Sequence, residues 1–475
     1  MSFNSFNYIL LFLPIVILAV SLARRLPIPK APQIFILLVS FYFYAYAKPA
    51  HLGYLIGSIV ANWLIARWMS PKEDAPRKRI FLFGIILNVA FLCIFKYINF
   101  FLSNVPYFVH HHIQLPNLQF PLGISFFTLA QIMYLIECYE EMIPPSSLFD
   151  HATFVSFFPY VISGPIPRAN RILHQFPALN APRGPSADTI ARALYLFSMG
   201  LIKKIVLADA FSKAADYGFS SARNMSAFEG WFFAASYALQ LYFDFSGYSD
   251  MAIASALLLG VDIPRNFDAP FKALSISEFW TRWHITLSQF ITTYLYTPIL
   301  TSFRKATLVT ASFATLAAMT IAGLWHGPSW TFVLFGVIHG LALVANQYWK
   351  KKKMPVLPDA VCWLLTMAVV VFANVFFRSP SLHFAMVYVG QMVSLHNAFG
   401  TSNIQAMNGA GIMVGIYILG QVAGAILAIA GQSSETLARN FKPTALNAAA
   451  TVAFGLVALL YLNSSVSKPF VYFAF

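Results

Sequence analysis

Residues 306–349 read ATLVTASFATLAAMTIAGLWHGPSWTFVLFGVIHGLALVANQYW and decide how the chain folds. These 44 residues lie between Lys305 and Lys350 and contain no Asp, Glu, Lys or Arg. Each half is long enough to cross a hydrocarbon core about 30 Å thick as a helix. The helix should end near His326, because Gly327 permits a sharp turn and Pro328 lacks a backbone N–H. The stretch therefore predicts a membrane hairpin with basic residues at its open ends and His326 at its turn.

The same apolar character extends along the whole chain, which is 59% hydrophobic and 10% charged. We predict an all-α integral membrane protein, a single polytopic domain over residues 1–475 with about 11–12 transmembrane helices. The predicted spans are 8–22, 32–47, 51–68, 80–99, 120–136, 188–206, 229–243, 307–325, 329–349, 359–377, 409–431 and 446–462. Segments 151–163 and 285–300 are too short or too polar to cross, so we expect re-entrant or interfacial helices that line a cavity.

The net charge of +14 does not indicate nucleic-acid binding, because the basic residues lie in short loops between predicted spans. Such loops face the cytoplasm and contact the headgroups of anionic membrane lipids. This rule places the open ends of the hairpin inside and both chain termini outside. His326 then lies within the membrane or toward its outer side. Lys203 and Lys204 do not fit, since they fall near the outer end of a predicted span.

Acidic residues are concentrated in residues 244–284, which hold five of the chain's 17 Asp and Glu residues. A charged side chain at bilayer depth costs about 2.5–3.5 kcal/mol on insertion scales, so such a cluster indicates a functional site. The alternative is a solvated loop between spans. We expect Asp244 and Asp250 to hold the loop on the cytoplasmic side.

Two histidines, His284 and His326, are the candidate catalytic residues. An imidazole at a helix break is suited to proton transfer at neutral pH, since its ordinary pKa is near 6.5. For His326 the alternative is a packed turn in which a carbonyl satisfies the ring. Trp280, Trp283 and His284 have the spacing of one helix face, and Glu278 and Arg282 have the spacing of an ion pair. The alternative for this second motif is an interfacial tryptophan belt.

Three weaker features complete the candidates. His339 lies within an apolar helix, where packing and a polar lining are equally good interpretations. His110, His111 and His112 lack the acidic or Cys partners of a metal site, and we expect neither a metal nor a bound cofactor. The terminal segment Phe470–Phe475 is too apolar for a free tail. It is either an aromatic anchor or a means of bringing Tyr472 to His326, where its hydroxyl would accept an acetyl group transiently.

Five motifs carry a resemblance to a known family: Phe157-Phe158-Pro159-Tyr160-Val161-Ile162-Ser163-Gly164-Pro165, Asp244-Phe245-Ser246-Gly247-Tyr248-Ser249-Asp250, Arg265-Asn266-Phe267, Phe279-Trp280-Thr281-Arg282-Trp283-His284 and Leu324-Trp325-His326-Gly327. In this order they resemble the membrane-bound O-acyltransferases, specifically their bacterial alginate O-acetyltransferase branch. The resemblance implies a ring of helices around a funnel, with His326 catalytic and His or Asn at position 284. It also implies supporting roles for Trp283, Trp325, Asp244 and Asn266.

The resemblance further implies an enzyme of the bacterial inner membrane that takes acetyl from a cytoplasmic donor, acetyl-CoA. The acceptor would be an alginate- or cellulose-like exopolysaccharide, reached directly or through a periplasmic acetyltransferase or esterase-like partner protein. Transfer of D-alanine, or of an acyl group to peptidoglycan, is the alternative within this class. A small-molecule transporter is the alternative of another class, because buried charges and re-entrant segments also mark transport pathways.

Overall fold

The computed structural model describes residues 1–46, 48–106, 118, 121–220, 224–395, 398–408, 412–464 and 470–471. The chain is 76% helical, and no strand occurs among these residues. Among the described residues, six helices are long and apolar enough to cross a membrane: Ala50–Met69, Asp74–Ser103, Leu308–His326, Trp330–Lys351, Asp359–Arg378 and Ala445–Asn463. Four shorter apolar helices are Asn7–Ala23, Ala31–Ala45, Ile124–Tyr139 and Ile418–Ala430. The prediction of an all-α integral membrane protein is confirmed.

The contacts divide the chain into two compact units, and the first comprises residues 1–198, 249–264 and 441–451. Beyond the apolar helices it holds the short helices Leu148–Ser156, Ala169–Ile172, Leu173–Gln175 and Phe176–Leu179, and most of Ala187–Leu201. The nine-residue helix Leu148–Ser156 is too short to cross a membrane, as expected for segment 151–163. The His110–His112 triplet lies outside the described residues.

The second unit comprises residues 199–248, 265–440 and 452–475. Its further helices are Ile202–Ala208, Asp209–Ser220, Ala227–Leu259 up to residue 248, Pro270–Lys272, Ile276–Arg282, Ile285–Phe290, Ile291–Tyr296, Thr297–Thr301, Leu382–Met392, Ser402–Asn408, Ile412–Ala430, Ser434–Arg439 and the end of Ala445–Ser464. Residues 285–301 form one helical run that is not among the candidate spans. A single polytopic domain stays a prediction.

The predicted hairpin is formed by helices Leu308–His326 and Trp330–Lys351, and the first ends at the predicted residue. The two helices touch through glycines. A Cβ at Gly323 would lie 2.8 Å from Gly336 Cα, and one at Gly336 would lie 2.3 Å from the carbonyl oxygen of Met319. Only a residue without a side chain permits this approach. His326 and His339 each follow one of these glycines by three residues, so the crossing fixes both histidines.

The prediction of a loop at Asp244 and Asp250 is wrong. Both lie within the 33-residue helix Ala227–Leu259, and they are 1% and 5% exposed. Lys204 compensates the buried charge, since its Nζ lies 2.5 Å from Asp244 Oδ1. A Cβ at Gly247 would lie 2.7 Å from the carbonyl oxygen of Gly200, so this glycine lets the two segments come together. Lys203 and Lys204, which did not fit the loop pattern, are likewise buried.

The predicted helix face of Trp280, Trp283 and His284 is also wrong, because the helix Ile276–Arg282 ends before His284. His284 has a left-handed backbone with φ +42°. Pairing with an upstream segment overrides the helical spacing here: the Ile285 N–H donates to the backbone carbonyl of Asn266 at 2.9 Å. The predicted ion pair between Glu278 and Arg282 is confirmed at 2.9 Å.

Candidate active site

Three histidines of the second unit line one narrow cavity. His284, His326 and His339 are 0%, 6% and 2% exposed to solvent. The cavity has a volume of about 10 Å³, room for a single water-sized group. Its other lining residues are Leu241, Phe279, Trp280, Trp283, Leu287, Phe335, Val370, Asn374 and Phe377. The arrangement concentrates imidazoles in an apolar, largely aromatic environment, where hydrogen bonds are stronger than in water.

His284 is held by Asn266, whose side-chain oxygen accepts three hydrogen bonds. The donors are the backbone N–H and the hydroxyl of Thr286, at 3.3 and 2.9 Å, and His284 Nδ1, at 3.0 Å. A backbone N–H can only donate, so this Asn266 atom is the carbonyl oxygen and Nδ1 of His284 carries the proton. Burial lowers the pKa of His284 to about 3, so the ring is neutral at physiological pH. The neutral ring then has its lone pair on Nε2.

His326 lies at the end of the first hairpin helix, enclosed by aromatic rings. Ring centroids of Trp325, Phe377 and Phe335 lie 5.0, 5.1 and 6.0 Å away, each in an edge-to-face arrangement. Trp325 packs against His326 without lining the cavity itself. The cage fixes the position of the imidazole and limits access of bulk water, which is what a general base in acyl transfer requires.

The third histidine, His339, is hydrogen-bonded to Trp280 of helix Ile276–Arg282. Trp280 Nε1–H donates to His339 Nδ1 at 3.3 Å, and the two rings are nearly perpendicular. Phe335 packs against His339 with a centroid distance of 4.6 Å and also contacts His326. Of the two interpretations left open by the sequence, the cavity geometry favours the polar lining.

Two larger chambers each share one lining residue with the cavity. One, of about 500 Å³, is lined by Trp280, Thr315, Gln347 and other residues toward the basic ends of the hairpin, and we call it the basic-side chamber. The other, of about 440 Å³, is lined by Phe377, Arg378 and the hairpin turn, and we call it the turn-side chamber. Trp280 and Phe377 also line the cavity. The cavity that the histidines line therefore borders both chambers.

Asp244 lies outside the cavity lining and instead holds the end of the chain. Its Oδ1 pairs with Lys204, and its Oδ2 accepts the backbone N–H of Val471 at 2.9 Å. The Phe470 ring lies 4.9 Å from Lys204 Nζ, and Val471 lines the turn-side chamber. Tyr472 lies outside the described residues.

The structure thus brings together His326, His284 and Trp283 in one cavity, with Asn266 behind His284. Asn374 also lines the cavity, and sequence reasoning missed it. A single amide within the apolar helix Asp359–Arg378 was the available signal. Among the described residues, no three His, Cys, Asp or Glu side chains form a group that could hold a metal ion. The absence of a metal from the mechanism stays a prediction.

Comparison with known proteins identifies the class of site. The sequence model of the membrane-bound O-acyltransferase family matches residues 77–389. A peptidoglycan O-acetyltransferase of Helicobacter pylori is 37% identical over 424 residues, covering 83% of this chain and 80% of the relative. A probable alginate O-acetylase AlgI of Pseudomonas putida is 32% identical over the full length of both chains.

A teichoic acid D-alanyltransferase of Streptococcus thermophilus is 29% identical over 250 residues, covering 50% of this chain and 59% of the relative. The family match includes the two motifs that contain a histidine, Phe279–His284 and Leu324–Gly327. It also includes the hairpin that carries two of the three cavity histidines. The chain is a multi-pass membrane enzyme and belongs to the membrane-bound O-acyltransferase family.

Proposed function

We propose that this protein transfers an acetyl group from cytoplasmic acetyl-CoA to a hydroxyl on the other side of the membrane. The acceptor is a glycan hydroxyl, of an exopolysaccharide or of peptidoglycan, reached directly or through a periplasmic partner protein. Two relatives named for acetylation of such polymers support this acceptor class. The observation that carries the proposal is the position of three histidines in a constricted cavity that shares a lining residue with each of two larger chambers.

In the proposed reaction His326 is the general base. The acceptor oxygen attacks the thioester carbonyl carbon while His326 takes the hydroxyl proton, which gives a tetrahedral intermediate. When the carbon–sulfur bond breaks, His326 returns this proton to the leaving thiolate. His284 presents a lone pair at Nε2, so it is suited to orienting a substrate rather than to stabilising an oxyanion.

The basic-side chamber has the chemistry to hold the donor. Gln347 Nε2–H donates to Thr315 Oγ1 at 2.8 Å, and Gln347 Oε1 is buried without a hydrogen-bond partner in the part of the chain that the structure describes. An amide N–H of a pantetheine arm would satisfy this oxygen. Several Ser and Thr hydroxyls line the same chamber. At about 500 Å³, it has the size of an ordinary small-molecule site.

The turn-side chamber is suited to a hydroxyl acceptor. Tyr237 Oη and Gln240 Oε1 lie one helical turn apart, and neither has a hydrogen-bond partner among the described residues. An acceptor hydroxyl can donate to the amide oxygen and accept from the phenol. The charged group in this lining is Arg378, which pairs with Asp216 at 3.1 Å.

The charges also favour acetyl over D-alanyl as the transferred group. No Asp or Glu is among the residues described as lining the cavity or either chamber. The ammonium of a D-alanyl group would therefore be buried without a counter-ion, which is strongly unfavourable. A neutral acetyl group has no such penalty.

The test is His326→Ala, with His383→Ala as a matched control because His383 is exposed. We expect His326→Ala to fold and insert normally and to lose about 10²–10⁴-fold in transfer rate, the usual contribution of a general base. The measurements are consumption of acetyl-CoA by purified protein and alkali-released acetate from the cell's glycans. Near-normal transfer by His326→Ala would contradict the assignment of His326 as the general base. If the wild-type protein did not consume acetyl-CoA, the assignment of the donor would be wrong.

A further inference from the structure

Hydrogen bonding fixes the tautomer of His339. An indole N–H can donate but cannot accept, so His339 Nδ1 must offer its lone pair to Trp280 Nε1–H. A protonated imidazole has no lone pair, and a neutral one with a free Nδ1 carries its proton on Nε2. His339 is therefore a neutral ring with a fixed N–H at Nε2. This assignment is the reverse of that of His284, whose proton is on Nδ1.

The Nε2–H of His339 has no hydrogen-bond partner in the described part of the chain. The side chain is 2% exposed and lines the cavity that His326 and His284 also line. An N–H that has no protein acceptor and belongs to a cavity-lining side chain is available to a ligand that supplies the missing partner. The neighbouring rings of Phe279 and Phe335 offer no strong acceptor. The donor is thus held rigidly in an apolar space next to the proposed base.

We propose that His339 is a catalytic hydrogen-bond donor whose Nε2–H stabilises the oxyanion formed during acyl transfer. As the acceptor oxygen bonds to the acyl carbon, the carbonyl electrons move to the carbonyl oxygen, which then accepts the His339 hydrogen bond. Collapse of this oxyanion restores the C=O bond and expels the thiolate, which takes the proton held by His326. His339 itself neither gains nor loses a proton. The inference rests on the proposed function.

Trp280 is the positioning residue in this arrangement. Because its N–H donates to Nδ1, it excludes the tautomer of His339 that carries the proton on Nδ1. In that tautomer the lone pair on Nε2 would repel the oxyanion. Trp280 also lines the basic-side chamber, so a donor held in that chamber would contact the same indole. A donor that is fixed before the reaction stabilises the oxyanion without reorganisation, which makes such groups effective.

The activity test compares His339→Phe, which keeps an aromatic ring, with His339→Gln, whose amide nitrogen can take the place of Nε2–H. We expect kcat to fall about 10²–10³-fold in His339→Phe, the usual loss for one oxyanion donor, with KM for acetyl-CoA nearly unchanged. His339→Gln should recover a substantial part of kcat. Because His339 exchanges no proton, the pH dependence of kcat should be the same in both variants and in the wild type.

A second measurement does not depend on activity. In protein labelled with ¹⁵N-histidine, the His339 signals, assigned by their loss in His339→Gln, should show a proton on Nε2 and none on Nδ1. Trp280→Phe should allow the other tautomer and lower kcat, with the thermal unfolding temperature as the check on folding. Protonated Nδ1 in the wild type, or equal kcat for His339→Gln and His339→Phe at matched folded amounts, would overturn the proposal. Failure of wild-type protein to consume acetyl-CoA would instead count against the proposed function.

Discussion

At the scale of single residues, the roles of the histidines depend on partners that are distant in sequence. His284 owes its tautomer to Asn266 and His339 owes its tautomer to Trp280, 59 positions earlier. Sequence motifs could identify His326 and His284 as candidates, because Trp-His pairs at a helix break are unusual in apolar sequence. They could not show which ring nitrogen bears a proton, since that follows from tertiary hydrogen bonds.

The first prediction concerns His284. We expect His284→Asn to retain more transfer activity than His284→Ala, because an Asn amide can still donate to Asn266 Oδ1. Asn266→Ala should destabilise the fold by about 1–3 kcal/mol, since it leaves the buried Thr286 N–H without its acceptor. The double variant should lose little more activity than either Ala variant, because both remove one hydrogen-bonded unit. Equal rates for His284→Asn and His284→Ala, measured at matched folded amounts, would contradict this assignment.

At the scale of elements, the long helix Ala227–Leu259 shows why a cluster of charges in the sequence does not by itself predict a loop. Its acidic residues suggested a loop because the compensating Lys204 is 40 positions away and belongs to another helix. The apolar composition of the terminal segment correctly indicated burial for Phe470, which is 2% exposed. The docking of Val471 on Asp244 could not be predicted, because it joins residues 227 positions apart.

This docking supports a proposal for Tyr472, the residue that follows Val471. As an alternative to direct attack by the glycan hydroxyl, we propose that the phenol oxygen of Tyr472 first attacks the thioester carbonyl, while His326 takes the phenol proton and returns it to the leaving thiolate. The acceptor hydroxyl then attacks the carbonyl of the acetyl-tyrosine, and His326 carries its proton to the phenolate oxygen that leaves. Tyr472→Phe removes only that hydroxyl and should abolish transfer, whereas the control Tyr461→Phe, at a 40% exposed tyrosine, should be neutral. Mass spectrometry after incubation with acetyl-CoA alone should find acetyl on Tyr472. Full activity of Tyr472→Phe would reduce the segment to an aromatic anchor.

At the scale of the whole molecule, hydropathy predicted the membrane class and most helices, because a span needs only length and apolar composition. Ten of the 12 predicted spans correspond to apolar helices of the structure. The other two, 188–206 and 229–243, fall on helices outside that set. Lys203 and Lys204 lie in the first, and Asp244 directly follows the second. Both segments are helical, and whether they cross the membrane stays a prediction.

The last prediction is the orientation of the protein in the membrane, and helix Asp74–Ser103 allows a direct test of it. Its 30 residues span about 45 Å at 1.5 Å per residue, so Ser70 and Ser103 at its two ends should lie on opposite sides of the bilayer. Arg67 and Lys72 flank Ser70, which places that end in the cytoplasm. On this basis we predict that both chain termini lie on the periplasmic side of a bacterial inner membrane.

Single cysteines at Ser103 and at Ser464, the end of the last helix, should therefore react with an impermeant thiol reagent added outside intact cells. A cysteine at Ser70 should react only after the membrane is opened, and Cys93, Cys138 and Cys362 are first replaced to remove background. Labelling of Ser70 and Ser103 from the same side would mean that this helix does not cross. Labelling at Ser70 alone would mean that the protein has the opposite orientation in the membrane. The basic-side chamber would then face away from cytoplasmic acetyl-CoA. The direction of transfer thus depends on which of two exposed serines the reagent reaches.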